Sequence, residues 1–446
     1  MSLSRLVHAI NACRAACHSL PTGFQRRRMF TAMSTFLSLM TLCAVKKSQS
    51  YAEVMRTMEA IFGTSSGQLV RPSASAFSQA RGKLPAATCR GIWLAVLASI
   101  RPLFARDAER RVFGLRPVAI DGTWVITPHE ASTTERWARP KLGAGRLAHH
   151  PQALLVFAFE LFSRLPVGVA VMGHKASEHL GLRTLLGTFG RNNLLILDRG
   201  YIGKALLRDM IESGNQVLLR MTTAEANSWD CVYDFLRQAE TKTTKDALVE
   251  LILPCRPGHD EEPLTVTIRL LARSFPRGRP GKHQGREKMV LLTTLIDAEL
   301  APKDDLIALY GERWGIETFN RELKTIYQLE RFRSRTAERV EQEIYACLTW
   351  LTIAAATQSA ADIAIRRIHG AQAWNDPNRI QVRRTYVFTI VTDWFQRLMT
   401  GTVSSEELMA AMADDIADLV RYAARKRPNR SESRDRKHPN GRTRAN

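Results

Sequence analysis

The chain lacks the features that mark secreted and membrane-spanning proteins. Its seven cysteines are scattered, with no CxxC pair and no zinc-type spacing of cysteine and histidine, which favours reduced thiols over a disulfide framework. No apolar run reaches the roughly 18 to 20 residues that a membrane-spanning helix needs, and no signal peptide is recognisable at the N-terminus. We therefore expect a cytoplasmic protein with no membrane partner.

Acidic residues are scarce as well, and their absence is patterned. The 446 residues include 64 Lys and Arg against 43 Asp and Glu, a formal net charge of +21. No acidic residue precedes Glu53, and the last 26 residues carry ten Lys and Arg against Glu432 and Asp435. Such an excess predicts a polyanionic partner, with DNA or RNA ahead of an anionic membrane. A solubilising surface with a disordered tail is the alternative.

Hydrophobic periodicity divides the chain into parts of different class. Helical spacing dominates the N-terminal part, whereas short apolar runs after Arg116 predict a mixed sheet flanked by helices, with at least one parallel crossover. The predicted parts are a helical DNA-binding domain at 1–112, the sheet domain at 113–225 and 300–368, a β-rich insertion at 226–299, a helical C-terminal region and candidate dimerisation surface at 369–424, and a disordered basic tail at 425–446.

One short segment of the N-terminal part has the composition of a DNA-recognition helix. The segment SASAFSQARGKL begins at Ser73, and we expect Gln79, Arg81 and Lys83 to point outward from it. Small residues with outward basic ones suit a helix that enters a major groove. A plain surface helix explains the same pattern, so both interpretations stay open.

Three carboxylates stand out by their positions. Asp121 and Asp198 each follow a buried apolar run that predicts a strand, and Glu317 lies on a predicted helix at 304–327. Carboxylates at strand ends can converge with a third from a packed helix, and such oxygens can hold two Mg²⁺ or Mn²⁺ ions. Simpler explanations exist, since the aspartates can cap turns and Glu317 can pair with Arg313 on a helix surface.

The predicted helix around Glu317 also carries cations. Four residues of YGERWGIETFNRELK, at spacings of 3, 4 and 7, are expected on one face of a single helix: Tyr310, Arg313, Glu317 and Lys324. The acid could hold a metal ion, and the cations and the phenol could bind phosphates, as a phosphodiester-processing site requires. Trp314 is expected to pack in the core instead.

These motifs resemble those of a known family. IDGT at 120–123, LDRGY at 197–201 and the helix at 310–324 are similar to the motifs of DDE transposases from bacterial insertion sequences. The similarity is to the subgroup named for its Tyr-Arg-Glu-Lys signature. It covers residues 115–365 and extends loosely to the N-terminal helices.

The resemblance implies a fold, a reaction and residue roles. The fold would be ribonuclease-H-like, with the β-rich insertion between the second aspartate and the glutamate. The implied metal-binding catalytic triad is Asp121, Asp198 and Glu317, and the implied contacts to DNA phosphates are Tyr310, Arg313 and Lys324. With two Mg²⁺ or Mn²⁺ ions, a nucleoid-associated homodimer would cut double-stranded DNA at terminal inverted repeats and transfer the strand into target DNA.

Two other functions stay open from the sequence. A transposase-derived DNA-binding protein without catalysis would use the basic termini equally well, although it would not need all three acids and all four signature positions. A ribonuclease-H-like nuclease without strand transfer would keep the same acids. A strand-cleavage assay separates the first alternative from a transposase, and joined DNA products exclude the second.

Overall fold

A computed structural model describes most of the chain. It covers residues 3–24, 30–44, 50–52, 54–56, 64–65, 68–69, 72–105, 111–224, 229–241, 245–255, 262–277, 285–325, 327–369, 380–383, 386–387, 389–391, 393–394 and 405–425. The predicted disordered tail therefore lies, apart from Arg425, outside the described residues.

Eight strands form one mixed sheet. They are β1 (Arg116–Ile126), β2 (Gln152–Glu160), β3 (Leu165–Met172), β4 (Asn193–Leu197), β5 (Gln216–Met221), β6 (Asp246–Leu253), β7 (Leu264–Arg277) and β8 (Gly285–Thr293). Their order across the sheet is β3-β2-β1-β4-β5-β8-β7-β6. The mixed α/β class predicted from the periodicity is thereby confirmed, and the three strands from the predicted insertion extend the same sheet.

The direction of the strands changes at β1. The first three strands form an antiparallel meander, whereas β4 runs parallel to β1 and β5 runs parallel to β4. The return to antiparallel pairing comes with β8, which pairs with β5. All five residues of β4 are buried, as expected for a strand with both faces covered, so the centre of the sheet is the hydrophobic core.

Helices cover the sheet and build the N-terminal part. They are α1 (Leu3–Ser19), α2 (Ala32–Ala44), α3 (Ala74–Arg81), α4 (Ala86–Ala105), α5 (Ala131–Trp137), α6 (Glu178–Leu186), α7 (Lys204–Glu212), α8 (Asp230–Thr241), α9 (Lys303–Gly311), α10 (Trp314–Thr325), α11 (Ala337–His369) and α12 (Ser405–Arg421). The long helix α11 packs against α2, α4 and α12 and also against β3, so it joins the N-terminal helices to the sheet. Within the described part of the chain, no helix is long and apolar enough to cross a bilayer.

The outward orientation expected for the side chains of α3 is wrong for one of them. Gln79 and Lys83 are exposed, but Arg81 is fully buried and forms an ion pair with Glu343 of α11 at 3.1 Å. Arg81 also donates to the side-chain oxygen of Gln342 at 3.1 Å. The physical reason is that α3 packs beside α11, so the guanidinium must find buried acceptors instead of water.

The single helix predicted at 304–327 is also wrong, because two helices share this segment. Between α9 and α10 the backbone forms successive bonds from residue i to residue i−3, including Glu312 to Leu309 and Arg313 to Tyr310. This tighter turn breaks the regular helix near Gly311 and Gly315, and glycine lowers helix stability. Tyr310 therefore lies on α9, whereas Glu317 and Lys324 lie on α10.

Candidate active site

The register of the sheet brings the two aspartates together. Ala119 of β1 is the parallel partner of Ile196 of β4, and the same register two residues further on sets Asp121 level with Asp198. The prediction that Asp121 follows the end of its strand is wrong, because antiparallel pairing with β2 continues through Asp121 to Ile126. Asp198 does follow its strand, and its carboxylate accepts a hydrogen bond from the backbone N–H of Gly200 at 2.8 Å.

Helix α10 brings Glu317 to the same place. Asn320, one turn after Glu317, donates from its side chain to Oδ2 of Asp121 at 2.7 Å. The carboxylate of Glu317 accepts from Nη2 of Arg313 at 2.5 Å. The helix-surface ion pair that sequence reasoning left open is therefore present, and it stands beside the aspartates.

The three carboxylates interact through their charges. Burial, followed by the negative charge of Asp198, raises the pKa of Asp121 to about 7, and the charges of Glu178 and Glu317 act in the same direction. The positive charge of Arg313 opposes this shift. Because like charges close together in a half-buried site are unfavourable unless they are neutralised, a bound cation would stabilise this cluster.

The donor set fits a hard divalent cation, although its present arrangement is not that of ligands around an ion. Among the described residues, no three His, Cys, Asp or Glu side chains are close enough together to hold a metal ion. The predicted ligands accept hydrogen bonds from protein donors instead: Asn320 for Asp121, the Gly200 N–H for Asp198, and Arg313 for Glu317. Carboxylate oxygens are the ligands that Mg²⁺ and Mn²⁺ prefer. To bind an ion together, the three carboxylates would have to rotate away from these donors.

The remaining signature residues occupy two places. The Arg313 guanidinium lies 5.8 Å from the centre of the Tyr310 ring, so these two side chains meet despite the turn between α9 and α10. Lys324 lies further along β1, where its ammonium donates to the backbone carbonyl of Trp124 and is 3.7 Å from Oε1 of Glu330. Within the described part of the chain, the Tyr310 hydroxyl and Nε of Arg313 are buried without hydrogen-bond partners.

Comparison with known proteins identifies the family. Residues 113–353, more than half of the chain, match the family model described as "Transposase DDE domain". The chain belongs to the DDE transposase family. The matched range contains the aspartates, the glutamate and the signature segment.

One relative and one solved structure are similar to this DDE transposase family member. The chain is 30% identical over 240 residues to the transposase InsG for insertion sequence element IS4 of Escherichia coli (strain K12). That match covers 53% of this chain and 50% of the relative, so it spans half of the relative's length. The cryo-EM structure of the piggyBac transposase synaptic complex with hairpin DNA aligns with 99% of this chain and 85% of that one, at 9% identity and a TM-score of 0.43.

Sequence reasoning missed two side chains of this transposase site. Asn320 has a recognisable signal, because a residue three positions after Glu317 shares its helix face. Glu178, at the start of α6, has a charge that acts on Asp121, and its only sequence signal is a Ser-Glu pair that could begin a helix.

Trp314 also differs from its expected position in the core. It is 67% exposed, whereas Ile316 and Phe319 are buried. The reason is the helical period: Ile316 and Phe319 share the inward face of α10, and a residue two positions before Ile316 points elsewhere.

The raised pKa of Asp121 predicts that stability depends on pH in the metal-free protein. Its pKa is about 7 in the folded state, against an ordinary value of 3.8, so the folded state holds this proton more tightly. Unfolding free energy should therefore fall as the pH rises from about 4 to about 7. Urea denaturation across this range, with chelator present, should show a smaller fall for Asp121→Asn. If the unfolding free energies of wild type and Asp121→Asn depended equally on pH, the raised pKa of Asp121 would be contradicted.

Proposed function

We propose that this chain is a transposase that cuts double-stranded DNA at transposon ends and transfers the strand into target DNA by DDE chemistry. The observation that carries the proposal lies inside the matched family range: β1 and β4 set Asp121 level with Asp198, and helix α10, which carries Glu317, contacts Asp121 through Asn320. The basic composition supports it, because DNA is the polyanion that such a site would process.

We assign the catalytic domain to 113–225 and 300–368, with a ribonuclease-H-like core. Support comes from the order β3-β2-β1-β4-β5, with an antiparallel meander followed by two parallel strands. Residues 226–299 are the insertion, residues 1–112 the DNA-binding domain and residues 369–424 a dimerisation region. We also propose, from the Tyr-Arg-Glu-Lys spacing, that the chain belongs to the subgroup of that name. The protein acts on the nucleoid in the cytoplasm.

The three carboxylates would hold two Mg²⁺ or Mn²⁺ ions. Bound ions supply positive charge that activates the attacking oxygen and stabilises the leaving oxygen. Asn320 orients Asp121 through the bond to Oδ2. Arg313 keeps Glu317 at the site, and its unpartnered Nε can donate to a phosphate oxygen with a geometry suited to guanidinium.

The assay that tests this function uses end DNA. A labelled duplex that carries the terminal repeats flanking the reading frame is incubated with the protein and Mg²⁺, and the products are separated on a denaturing gel. Cut and joined products are expected. Binding without cleavage would contradict the proposal and indicate a DNA-binding protein without catalysis. Cleavage without joined products would indicate a nuclease without strand transfer.

Two copies of the chain should act together, because strand transfer joins two ends to one target. We propose a homodimer that holds both ends. Sedimentation of the protein with and without end DNA measures the stoichiometry. If the complex always contained one protein chain and one DNA end, the proposed homodimer would be contradicted.

Lys324→Ala should weaken binding of end DNA by removing one phosphate contact. The slope of log affinity against log salt concentration should become flatter by about one. Lys324→Arg is the matched control, because it keeps the charge and should keep the slope. Fluorescence anisotropy at several salt concentrations measures both. An unchanged slope in Lys324→Ala would show that this ammonium serves only Trp124 and Glu330.

A further inference from the structure

A short hairpin outside the eight-stranded sheet carries exposed cations and exposed leucines. This basic hairpin, residues 139–148, lies between α5 and β2. Lys141 and Leu147 are antiparallel bridge partners, and the N–H of Leu142 donates to the carbonyl oxygen of Arg146 at 2.6 Å. The segment therefore has an ordered two-stranded backbone.

The base of the basic hairpin is fixed to the sheet. Trp137, the last residue of α5, is buried, and its carbonyl oxygen accepts from the N–H of His174 at 2.8 Å. The carbonyl oxygen of Ala138 accepts from the N–H of Gln152 at 3.2 Å, where β2 begins. Because Gln152 pairs with Ile126 at the end of β1, the hairpin starts where these two strands end.

The basic hairpin stands beyond the edge of the sheet at which the two aspartates lie. β4 ends just before Asp198, whereas β1, which runs parallel to it, continues for five residues past Asp121. At about 3.3 Å per residue this extension spans about 17 Å, which is the rise of roughly five base pairs of duplex DNA. Lys324 lies along it, at Trp124. A duplex that follows β1 from the carboxylates would pass Lys324 and reach the hairpin.

Both faces of the basic hairpin combine a cation with a leucine. Residues opposite each other in a hairpin share a face, and successive residues alternate between faces, so Lys141 lies beside Leu147, and Arg146 lies beside Leu142 on the other face. Leu142 is 53% exposed and Leu147 is 46% exposed. Among the described residues, neither Lys141, Arg146 nor the half-buried Arg139 has an acidic partner.

This mixture indicates what the basic hairpin binds. The buried centre of a protein–protein interface is depleted in charged residues, whereas both faces of this hairpin carry a cation. A groove of duplex DNA offers phosphates on both walls and base edges on its floor, and the major groove is wide enough for a two-stranded ribbon. Cations and leucines together therefore fit a DNA groove better than another protein surface.

We propose that the basic hairpin enters the major groove of the transposon-end duplex about five base pairs from the cleaved phosphate, a role that rests on the proposed function. The three cations contact phosphates, and the two leucines contact base edges. This contact holds the duplex at a distance from the reacting bond, so it aligns the DNA that Arg313 and Lys324 grip at the carboxylates.

The salt dependence of end-DNA binding tests the three cations. Fluorescence anisotropy with a labelled end duplex compares full-length wild type with Arg146→Gln and with the triple change Arg139→Gln, Lys141→Gln and Arg146→Gln. The slope of log affinity against log salt concentration should flatten by about 0.9 in the single variant and by about 2.7 in the triple variant. Arg191→Gln is the matched control, because Arg191 is an exposed arginine before β4, at the opposite edge of the sheet, and it should keep the wild-type slope.

A leucine variant separates a groove contact from charge alone. Leu142→Ser should weaken end-DNA binding by about 5-fold through lost apolar contact and leave the salt slope unchanged, because no phosphate contact is removed. The matched control is Leu300→Ser, since Leu300 is 56% exposed outside the hairpin, and it should bind as wild type does. If Leu142→Ser bound as tightly as wild type, insertion into a groove would be overturned.

Cross-linking tests the position of the contact. The photoreactive residue p-benzoylphenylalanine in place of Leu142 should join labelled end DNA within roughly five base pairs of the cleaved phosphate. Cross-links confined to distant base pairs, or to target DNA, would overturn the proposal. Circular dichroism verifies that each variant is folded.

The outcomes separate this role from the proposed function. If wild type cuts end DNA and the triple variant keeps the wild-type slope, the hairpin contact is overturned and the proposed function stands. If the triple variant changes only the sedimentation of the protein, the hairpin binds another protein chain, which also overturns the role. If wild type binds end DNA with the predicted slopes and cuts none, the hairpin contact stands and the proposed function is contradicted.

Discussion

Glu317→Ala should reduce strand cleavage of end DNA by about 10³-fold or more, roughly 4 kcal/mol of barrier, while binding of the same DNA stays within a few-fold of wild type. The change removes a predicted metal ligand and no predicted phosphate contact. It also releases Arg313 from its 2.5 Å contact with Glu317, so the site becomes more positive towards DNA. Cleavage is followed on a denaturing gel in Mg²⁺, and binding is followed by anisotropy.

Glu312→Ala is the matched control for this experiment. Glu312 is an exposed acid five residues earlier, in the turn between α9 and α10, and its removal should leave cleavage unchanged. A Glu317→Ala protein that cuts at a near wild-type rate would remove Glu317 from the triad. A protein that loses binding and cleavage together would instead indicate that the turn has rearranged.

Arg81→Ala should lower the free energy of unfolding by about 3–5 kcal/mol, because it leaves a buried carboxylate without its partner. The guanidinium is fully buried and the Glu343 side chain is only 6% exposed. Arg81 also donates to the half-buried backbone carbonyl of Arg339 at 2.9 Å, so this carbonyl loses a donor together with the buried side chains of Gln342 and Glu343. Urea denaturation followed by circular dichroism measures the loss.

Two further variants make the Arg81 experiment specific. Lys83→Ala removes an exposed cation from the same segment, and its stability should stay within about 0.5 kcal/mol of wild type. The double change Arg81→Met with Glu343→Leu removes both charges and should recover only the part of the loss that the unpaired carboxylate causes, because Gln342 and the Arg339 carbonyl still lack their donor. If Arg81→Ala weakened DNA binding and left the stability unchanged, the result would contradict the structural role of Arg81 and favour a DNA-recognition helix in this segment.

Local patterns predicted much of the sheet. The apolar runs in NLLIL and QVLLRM form the strands Asn193–Leu197 and Gln216–Met221, because a short apolar run indicates a strand buried on both faces. The end of β1 could not be predicted in this way. Its pairing with β2 continues past Asp121, and pairing with a distant strand overrides the local turn signal of Asp-Gly-Thr.

Helix-face spacing predicted that Arg313 and Glu317 meet, but it predicted neither the break in the helix nor the separate position of Lys324. Glu317 and Asn320 do share one face of α10, and Tyr310 meets Arg313 even though the chain turns between them. The turn itself depends on how α9 and α10 pack on the sheet. Periodicity alone does not report a break of this kind, because the spacings on either side still match a helix.

The sequence by itself determined the class of the sheet, the basic character of the protein and the three acids of the predicted triad, because charge and periodicity are local properties. Only the tertiary structure decided which groups meet. The register of β1 against β4 sets Asp121 level with Asp198. Arg81 was predicted to point outward from a DNA-recognition helix, but it is the buried partner of Glu343, 262 residues away. A buried charge needs a partner, and local sequence patterns do not identify a partner so distant in the chain.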